Sequence, residues 1–179
     1  MPARPAIPMP SIAEFTDHDV RTHMVRAVTD VFTTMLDRPA VLLPADAPPP
    51  PVKYPPERQI VGTVGFAGEA NGVIYLRMSE LFARRCTGIM LGLDEVEIAA
   101  MDRESVSDAV GELSNIVAGS FKNGLYDAGF SCKLSIPATV SGTDFSISPK
   151  PGDGTFRRAF RFDSLGQSMV AEVILNLGT

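Results

Sequence analysis

A carboxylate and an amide lie three residues apart in the segment 103–126, at Glu112 and Asn115. If this segment is helical, the two side chains lie one turn apart on the same side of the helix. Together they offer hydrogen-bond acceptors and donors, so the pair could hold a polar group of another molecule. The same spacing also arises by chance on solvated helices, and it does not define a site by itself.

Small residues accompany this pair. Gly111 and Gly119 lie inside the segment, where each costs about 1 kcal/mol relative to Ala in a helix, and Ala118 adds a third small side chain. Such residues would let another backbone approach closely. An apolar stripe that includes Val106, Val110, Leu113 and Val117 predicts the buried face. The opposite face carries a polar ridge formed by Asp108, Glu112, Asn115, Gly119 and Lys122.

Other reactive residue types do not form a convincing site. His18 and His23 are five residues apart, so they do not stack on one helix face as metal ligands would. Cys86 and Cys132 fit small core side chains better than a nucleophile or a redox pair. Ser114 has no histidine near it in the sequence to activate it. We therefore predict neither a metal ion nor a nucleophile of the protein's own.

Composition restricts the class of protein further. The chain has 179 residues and is 45% hydrophobic, which suits one domain, or two very small ones, with a sizeable core. A net charge of -5, with the two signs interspersed, argues against nucleic-acid binding and against a charged membrane-binding patch. No window reaches the roughly 20 apolar residues of a membrane span. Two cysteines fit a reducing, cytoplasmic compartment.

The periodicity of the chain predicts an α+β fold, a mostly antiparallel sheet packed against two long helices and one short helix. Residues 1–15 read as a flexible tail, and 16–179 as a single domain with a Pro-rich loop at 44–56. The predicted helices are 16–36, with Thr16 as N-cap, 80–91 and 103–126. An acidic link at 94–101 joins the last two. The predicted strands are 41–43, 58–66, 72–78, 132–140, 145–147, 156–162 and 168–177, with the turn dipeptide Asn71-Gly72 in the first hairpin.

Several segments resemble the CheC/CheX/FliY family of chemotaxis phosphatases, and its CheX branch in particular. AVGELSNIVAGSFKNGL resembles the signature helix of that family, in which a Glu and an Asn three residues later form the active site. HMVRAVTDVFTTML, IVGTVGFAGEANGVIYLRMS, GIMLGLDEVE and LSIPATVSGTDF resemble other CheX segments, so the likeness covers about residues 20–177. CheC-type members carry a second pair in the first helix. That pair is missing here, and one site per chain is expected.

The resemblance implies a CheC/CheX-like fold and hydrolysis of the aspartyl phosphate on a CheY-type response regulator. Asn115 would align the attacking water, and Glu112 would pair with the regulator's active-site lysine. The acyl phosphate and its Mg²⁺ would belong to the partner, so no cofactor of the protein's own is expected. A homodimer is also implied. The expected docking residues are Asp108, Gly111, Ala118, Gly119 and Lys122.

The alternative is a non-catalytic interaction or assembly domain of the same fold, like the middle domain of the flagellar switch protein. Because fold alone does not determine function, the two interpretations differ mainly in the Glu112/Asn115 pair. A scaffold has no need of such a pair.

Overall fold

Four helices and seven strands make up the described part of the chain. The structure is a computed structural model that describes residues 15–46, 57–143 and 155–177. The helices are α1 (Asp17–Leu36), α2 (Glu80–Leu91), α3 (Glu95–Ala100) and α4 (Arg103–Asp127). The strands are β1 (Val41–Leu42), β2 (Gln59–Gly68), β3 (Ala70–Ser79), β4 (Cys132–Leu134), β5 (Ala138–Gly142), β6 (Thr155–Ser164) and β7 (Gln167–Leu177).

The strands form one sheet in which every pair is antiparallel. Its order is β1-β6-β7-β3-β2-β4, and β5 also pairs with β2. Helix α4 packs on β2, β3, β4 and β5, while α1 and α2 pack against α4. The prediction of a mostly antiparallel α+β fold is therefore confirmed.

The helix boundaries follow from their caps. Thr16 forms a capping box with Asp19 at the start of α1, as its sequence position predicts. The acidic link is where the prediction is wrong, because it contains helix α3. There the Asp94 side chain accepts from the backbone N–H groups of Val96 and Glu97, and the Glu97 side chain accepts from the Asp94 N–H. The protein thus has two short helices rather than one, and the capping box was the available signal.

The first hairpin reverses within the loop predicted near residues 67–72, but both strands extend into that loop, so Asn71-Gly72 is not itself the turn. Asn71 and Gly72 lie inside β3, and the chain reverses around Gly68, whose N–H and C=O both bond to the Asn71 amide at 3.2 Å. Gly72 does not form the turn. A glycine is needed there because neighbouring atoms leave no space for a side chain. A Cβ there would lie 2.5 Å from Cζ of Phe66 and would overlap the carbonyl oxygen of Ile174.

The predicted strand 132–140 is interrupted. Strands β4 and β5 pair with opposite ends of β2, and residues 135–137 between them belong to neither strand. Ser135 holds this break in place, because its N–H donates to the Gly65 carbonyl at 2.8 Å and its hydroxyl accepts from the Gly65 N–H at 3.0 Å. Pro137 has no N–H to continue the ladder.

The remaining strand predictions agree with the structure where it describes them. The alternating residues of the last strand are buried as predicted, namely Met169, Ala171, Val173 and Leu175. Strands β1 and β6 also occur close to their predicted positions. The strand expected at 145–147, residues 1–14 of the tail and residues 47–56 of the Pro-rich loop lie outside the described residues. No helix within the described ranges is long and apolar enough to span a bilayer.

Candidate functional site

Helix α4 rests directly on the sheet, mainly on strand β2 beside the edge strands β4 and β5. Its predicted apolar stripe is buried, with Val110, Leu113 and Val117 at 0% exposure. Ser114 is equally buried, and its hydroxyl donates to the Val110 carbonyl at 2.7 Å. A Cβ on Gly62 of strand β2 would overlap Oγ of Ser114. Only a glycine at this position of β2 allows the helix to come so close.

The N-terminal half of α4 is held a second time by strand β5. The hydroxyl groups of Ser107 and Thr139 are hydrogen-bonded to each other. One turn later, a Cβ on Gly111 would lie 3.8 Å from Cγ2 of Thr139 and 3.9 Å from Cβ of Pro137. The side of α4 that carries Ser107 and Gly111 is therefore fixed against the edge of the sheet.

These contacts correct two of the predicted docking residues. Gly111 is buried beside Pro137, and Ala118 has 0% exposure within the core. Both lie on the buried side of α4, and neither lies on the exposed surface. A partner cannot contact them in this conformation.

The other five predicted residues form one exposed row, which we call the α4 ridge: Asp108, Glu112, Asn115, Gly119 and Lys122. Asp108 and Glu112 are exposed, and the other three are partly exposed. A Cβ on Gly119 would meet nothing within 4 Å. The ridge is thus low at Gly119, where a partner surface could approach the helix backbone.

The side chains of Glu112 and Asn115 do not help to hold the described fold together. Neither side chain has a hydrogen bond or an ion pair with any of the described residues. The polar residues that position the helix, by contrast, are bonded within the protein. The Glu112 and Asn115 side chains are therefore free to bond to a partner. The helix that carries them is held in place by the contacts of its other side with the sheet.

Lys122 is the basic residue at the C-terminal end of the ridge and is partly exposed. Burial raises the pKa of the Cys132 thiol at the start of β4, and the positive charge of Lys122 opposes that effect. The ridge is acidic at Asp108 and Glu112, neutral at Asn115 and Gly119, and basic at Lys122.

A charge cluster that the sequence analysis missed joins the starts of α2 and α4. Glu80 accepts from Arg58 Nε at 2.8 Å and Arg84 at 3.4 Å, and Arg103 Nε lies 3.7 Å away. Burial raises the pKa of Glu80, but the three guanidinium groups outweigh burial and hold it below its ordinary value. Glu80 and Arg84 are four residues apart on α2, a spacing visible in the sequence, but Arg58 and Arg103 lie 22 and 23 residues from Glu80, and no local pattern could predict their part in the cluster.

His23 and Cys86 are packed within the protein, whereas His18 is exposed. The His23 ring occupies the space above Gly124, where a Cβ would lie 2.9 Å from its Cε1. It is thus a packed helix residue rather than a solvated one. Burial raises the pKa of the Cys86 thiol to about 12. No group of three or more His, Cys, Asp or Glu side chains in ranges 15–46, 57–143 and 155–177 could hold a metal ion.

Two depressions in the described part of the chain lie away from the ridge. Two open depressions of about 450 and 430 Å³ lie beside α1, and both include Arg21 and Leu42 in their lining. No ridge residue lines either of them. The site is an exposed helix surface that suits a macromolecular partner better than a small molecule held in a pocket.

A comparison of the sequence with protein families identifies the family of this chain. Residues 60–160 match the family model of chemotaxis phosphatase CheX. This match spans more than half of the chain and contains the whole of the α4 ridge. The chain therefore belongs to the CheX family. No curated protein matches the chain.

Solved structures of CheX proteins share the fold. Chemotaxis protein CheX from Vibrio vulnificus is 23% identical, with 88% of this chain and 96% of that chain covered and a TM-score of 0.70. CheX from Desulfovibrio desulfuricans is 24% identical, with 88% and 99% covered and a TM-score of 0.69. The CheX-CheY-BeF3-Mg²⁺ complex from Borrelia burgdorferi matches at 22% identity, with 88% and 97% covered and a TM-score of 0.64.

Proposed function

We propose that this protein hydrolyses the aspartyl phosphate of a CheY-type response regulator by presenting the α4 ridge to the regulator's active site. The observation that carries the proposal is the exposed Glu112/Asn115 pair on an anchored helix, free of hydrogen bonds to the described residues. Membership of the CheX family supports it. So does the complex of the Borrelia burgdorferi relative with CheY, BeF3 and Mg²⁺.

Asn115 takes the central role in this proposal. Its amide oxygen accepts a hydrogen bond from a water molecule, and its NH₂ group donates to a phosphoryl oxygen. The water oxygen attacks phosphorus and the bond from phosphorus to the aspartyl oxygen breaks. The products are inorganic phosphate and the free aspartate, and a proton from the water is released. An amide is no general base, so Asn115 accelerates the reaction by holding the water in line.

Glu112 takes a docking role. Its carboxylate lies one turn from Asn115, where it would repel a phosphoryl group and attract a cation. A regulator lysine beside the phosphoryl group is the cation that the family resemblance implies. Because Glu112 is exposed, it can reach that lysine without first breaking a bond within the protein.

The regulator supplies the remaining charge. Asp108 and Glu112 make this end of the ridge acidic, and a phosphoryl group can approach it only with cations of its own. The partner's Mg²⁺ and lysine would meet that requirement. We expect no metal ion bound by this protein itself.

The decisive experiment measures loss of ³²P from a labelled CheY-type regulator of the same organism, with Mg²⁺ present. Asn115→Ala should lower kcat by about 100-fold or more, the scale for losing a preorganised polar group. Glu112→Ala should raise KM more than it lowers kcat. Asn123→Ala removes an exposed amide from the same helix, and should leave kcat unchanged.

Retained turnover in Asn115→Ala would contradict the proposed role of this residue. If the wild type binds phosphorylated regulators but accelerates hydrolysis of none, the protein is a non-catalytic interaction or assembly domain. Equal urea unfolding curves for the variants would establish that the differences are not due to folding.

We also propose that the protein is a homodimer that acts in the cytoplasm, where its proposed substrate signals. Light scattering over a concentration series tests the first point. A monomeric mass at all concentrations would contradict it.

A further inference from the structure

Tyr126 is an exposed aromatic side chain at the end of helix α4. It is 66% exposed, and it is the one aromatic among the exposed large hydrophobic residues of the described ranges. Its side chain makes no hydrogen bond or ring contact with any described residue. The fold therefore gains little from an aromatic residue at this position.

The position of Tyr126 continues the α4 ridge. At 100° per residue, it lies within about 20° of both Asn115 and Gly119 around the helix axis. With a rise of 1.5 Å per residue, it lies about 16 Å beyond Asn115 along that axis. Gly119 lies between the two and leaves the surface low. A partner that covers Asn115 and extends toward the C-terminal end of α4 would reach Tyr126.

The dimensions agree with a single interface. Asp108 and Tyr126 are about 27 Å apart along the helix axis. A typical interface covers about 800 Å² on each partner, which is roughly 30 Å across. One regulator domain can therefore contact the whole ridge.

The chemistry of the ridge is directional. Its N-terminal part carries the carboxylates of Asp108 and Glu112, and Asn115 follows. The aromatic ring of Tyr126 lies one turn beyond its last residue, Lys122. Exposed Tyr residues are frequent binding hot spots, because a large rigid ring buries much area with little loss of conformational freedom. The charged end would orient the regulator, and the ring would add affinity away from the reacting atoms.

We propose that Tyr126 packs against the surface of the CheY-type regulator beside its active site and sets the affinity of docking without taking part in hydrolysis. This inference rests on the proposed function. The occupant is the regulator rather than a second copy of this chain, because the same ridge carries the pair that must face the phosphoryl group.

The test compares Tyr126→Ala, Tyr126→Phe and Val96→Ala. Val96 is 77% exposed on α3, away from the ridge, and is the matched control for losing an exposed apolar group. The dissociation constant is measured with a regulator loaded with BeF3 and Mg²⁺. Tyr126→Ala should weaken binding about tenfold or more, the scale of a modest hot spot. Tyr126→Phe and Val96→Ala should stay within about twofold of the wild type.

Turnover separates docking from chemistry. Tyr126→Ala should raise KM and leave kcat unchanged at saturating regulator, whereas Asn115→Ala should lower kcat. If Tyr126→Ala binds normally while Asn115→Ala loses turnover, this inference is wrong and the proposed function stands. If Asn115→Ala keeps full turnover, the proposed function itself fails. A change in oligomeric mass without a change in affinity would overturn the inference and assign Tyr126 to contact between copies of the chain.

Discussion

Gly62 on strand β2 and Ser114 on helix α4 are so close that a Cβ on Gly62 would overlap the Ser114 hydroxyl and lie 2.9 Å from the Ser114 Cβ. Ser114 lies between Glu112 and Asn115 in the chain and on the opposite, buried side of the helix. The contact therefore sets the depth at which α4 rests on the sheet. It also fixes the rotation that turns the pair toward the exterior.

Gly62→Ala should destabilise the protein because the new methyl group has no space. Overpacking a close contact typically lowers the free energy of unfolding by about 1–3 kcal/mol. Urea unfolding measures the loss. Adding Ser114→Ala should restore only part of it. The overlapping hydroxyl is removed, but the Cβ of residue 114 at 2.9 Å and Cγ1 of Val110 at 3.2 Å from the added Cβ remain. Wild-type stability in Gly62→Ala would mean that the helix moves away from the sheet at no cost.

Substitutions of Gly119 should affect the stability of the protein and its binding to the regulator in opposite directions. Gly119→Ala should raise the free energy of unfolding by up to about 1 kcal/mol, because Ala is the better helix former and the added Cβ meets nothing. Gly119→Leu should also fold, but its side chain would stand in the path of the partner. The expected result is loss of binding to phosphorylated regulator with an unchanged urea midpoint or a higher one. Normal binding by Gly119→Leu would show that the ridge is not the docking surface.

Glu80 should make stability depend on pH. Its pKa in the folded state is held below the ordinary value of 4.5, with burial opposed by the three arginines. The stabilisation is thus fully present above pH 4.5 and is lost as the pH falls through the folded-state pKa. Glu80→Gln should lower the free energy of unfolding at pH 7 by about 1–3 kcal/mol, the scale of hydrogen bonds to a charged group.

The difference between wild type and Glu80→Gln should shrink when urea unfolding is repeated at decreasing pH below 4.5. Arg103→Ala is the control, since Arg103 is 70% exposed and an exposed ion pair contributes at most about 1 kcal/mol. A pH-independent difference would indicate that the ion pairs are not its source.

Short-range periodicity was sufficient to place Glu112 and Asn115 on the exposed face of helix α4. Helix α4 and its exposed ridge were predictable because a helix repeats every 3.6 residues, and Val110, Leu113 and Val117 mark its inner side. The last strand was also predictable from a repeat, since alternate residues of a strand lie on the same face of the sheet. The N-terminal caps of α1 and α2 are also local, since Thr16 accepts from the Asp19 N–H and Ser79 accepts from the Phe82 N–H, each three residues later. The capping box of α3 is equally local, so this short helix was within reach of the sequence although it was not predicted.

The tertiary structure decided which small residues face a partner. Gly111, Ala118 and Gly119 are alike in sequence, but the first two lie nearer the sheet side of the helix. Gly111 is covered by β5, an element that lies more than 20 residues later in the chain. Periodicity gives the angle of a residue around its helix. It does not show whether an element from elsewhere in the chain covers that residue. The role of each glycine could therefore be assigned only from packing.

The same limit applies to the hairpin and to the charge cluster. Asn71-Gly72 has the composition of a turn, but the ring of Phe66 and the backbone of β7 need Gly72 inside the strand. Glu80 pairs with Arg84 at helical spacing on α2, but also with Arg58 before β2 and Arg103 of α4, which no local pattern relates to it. The sequence by itself determined the helix, its exposed polar face and the family resemblance, because these depend on neighbours within a few residues. Long-range packing decided which of those residues remain exposed to a partner.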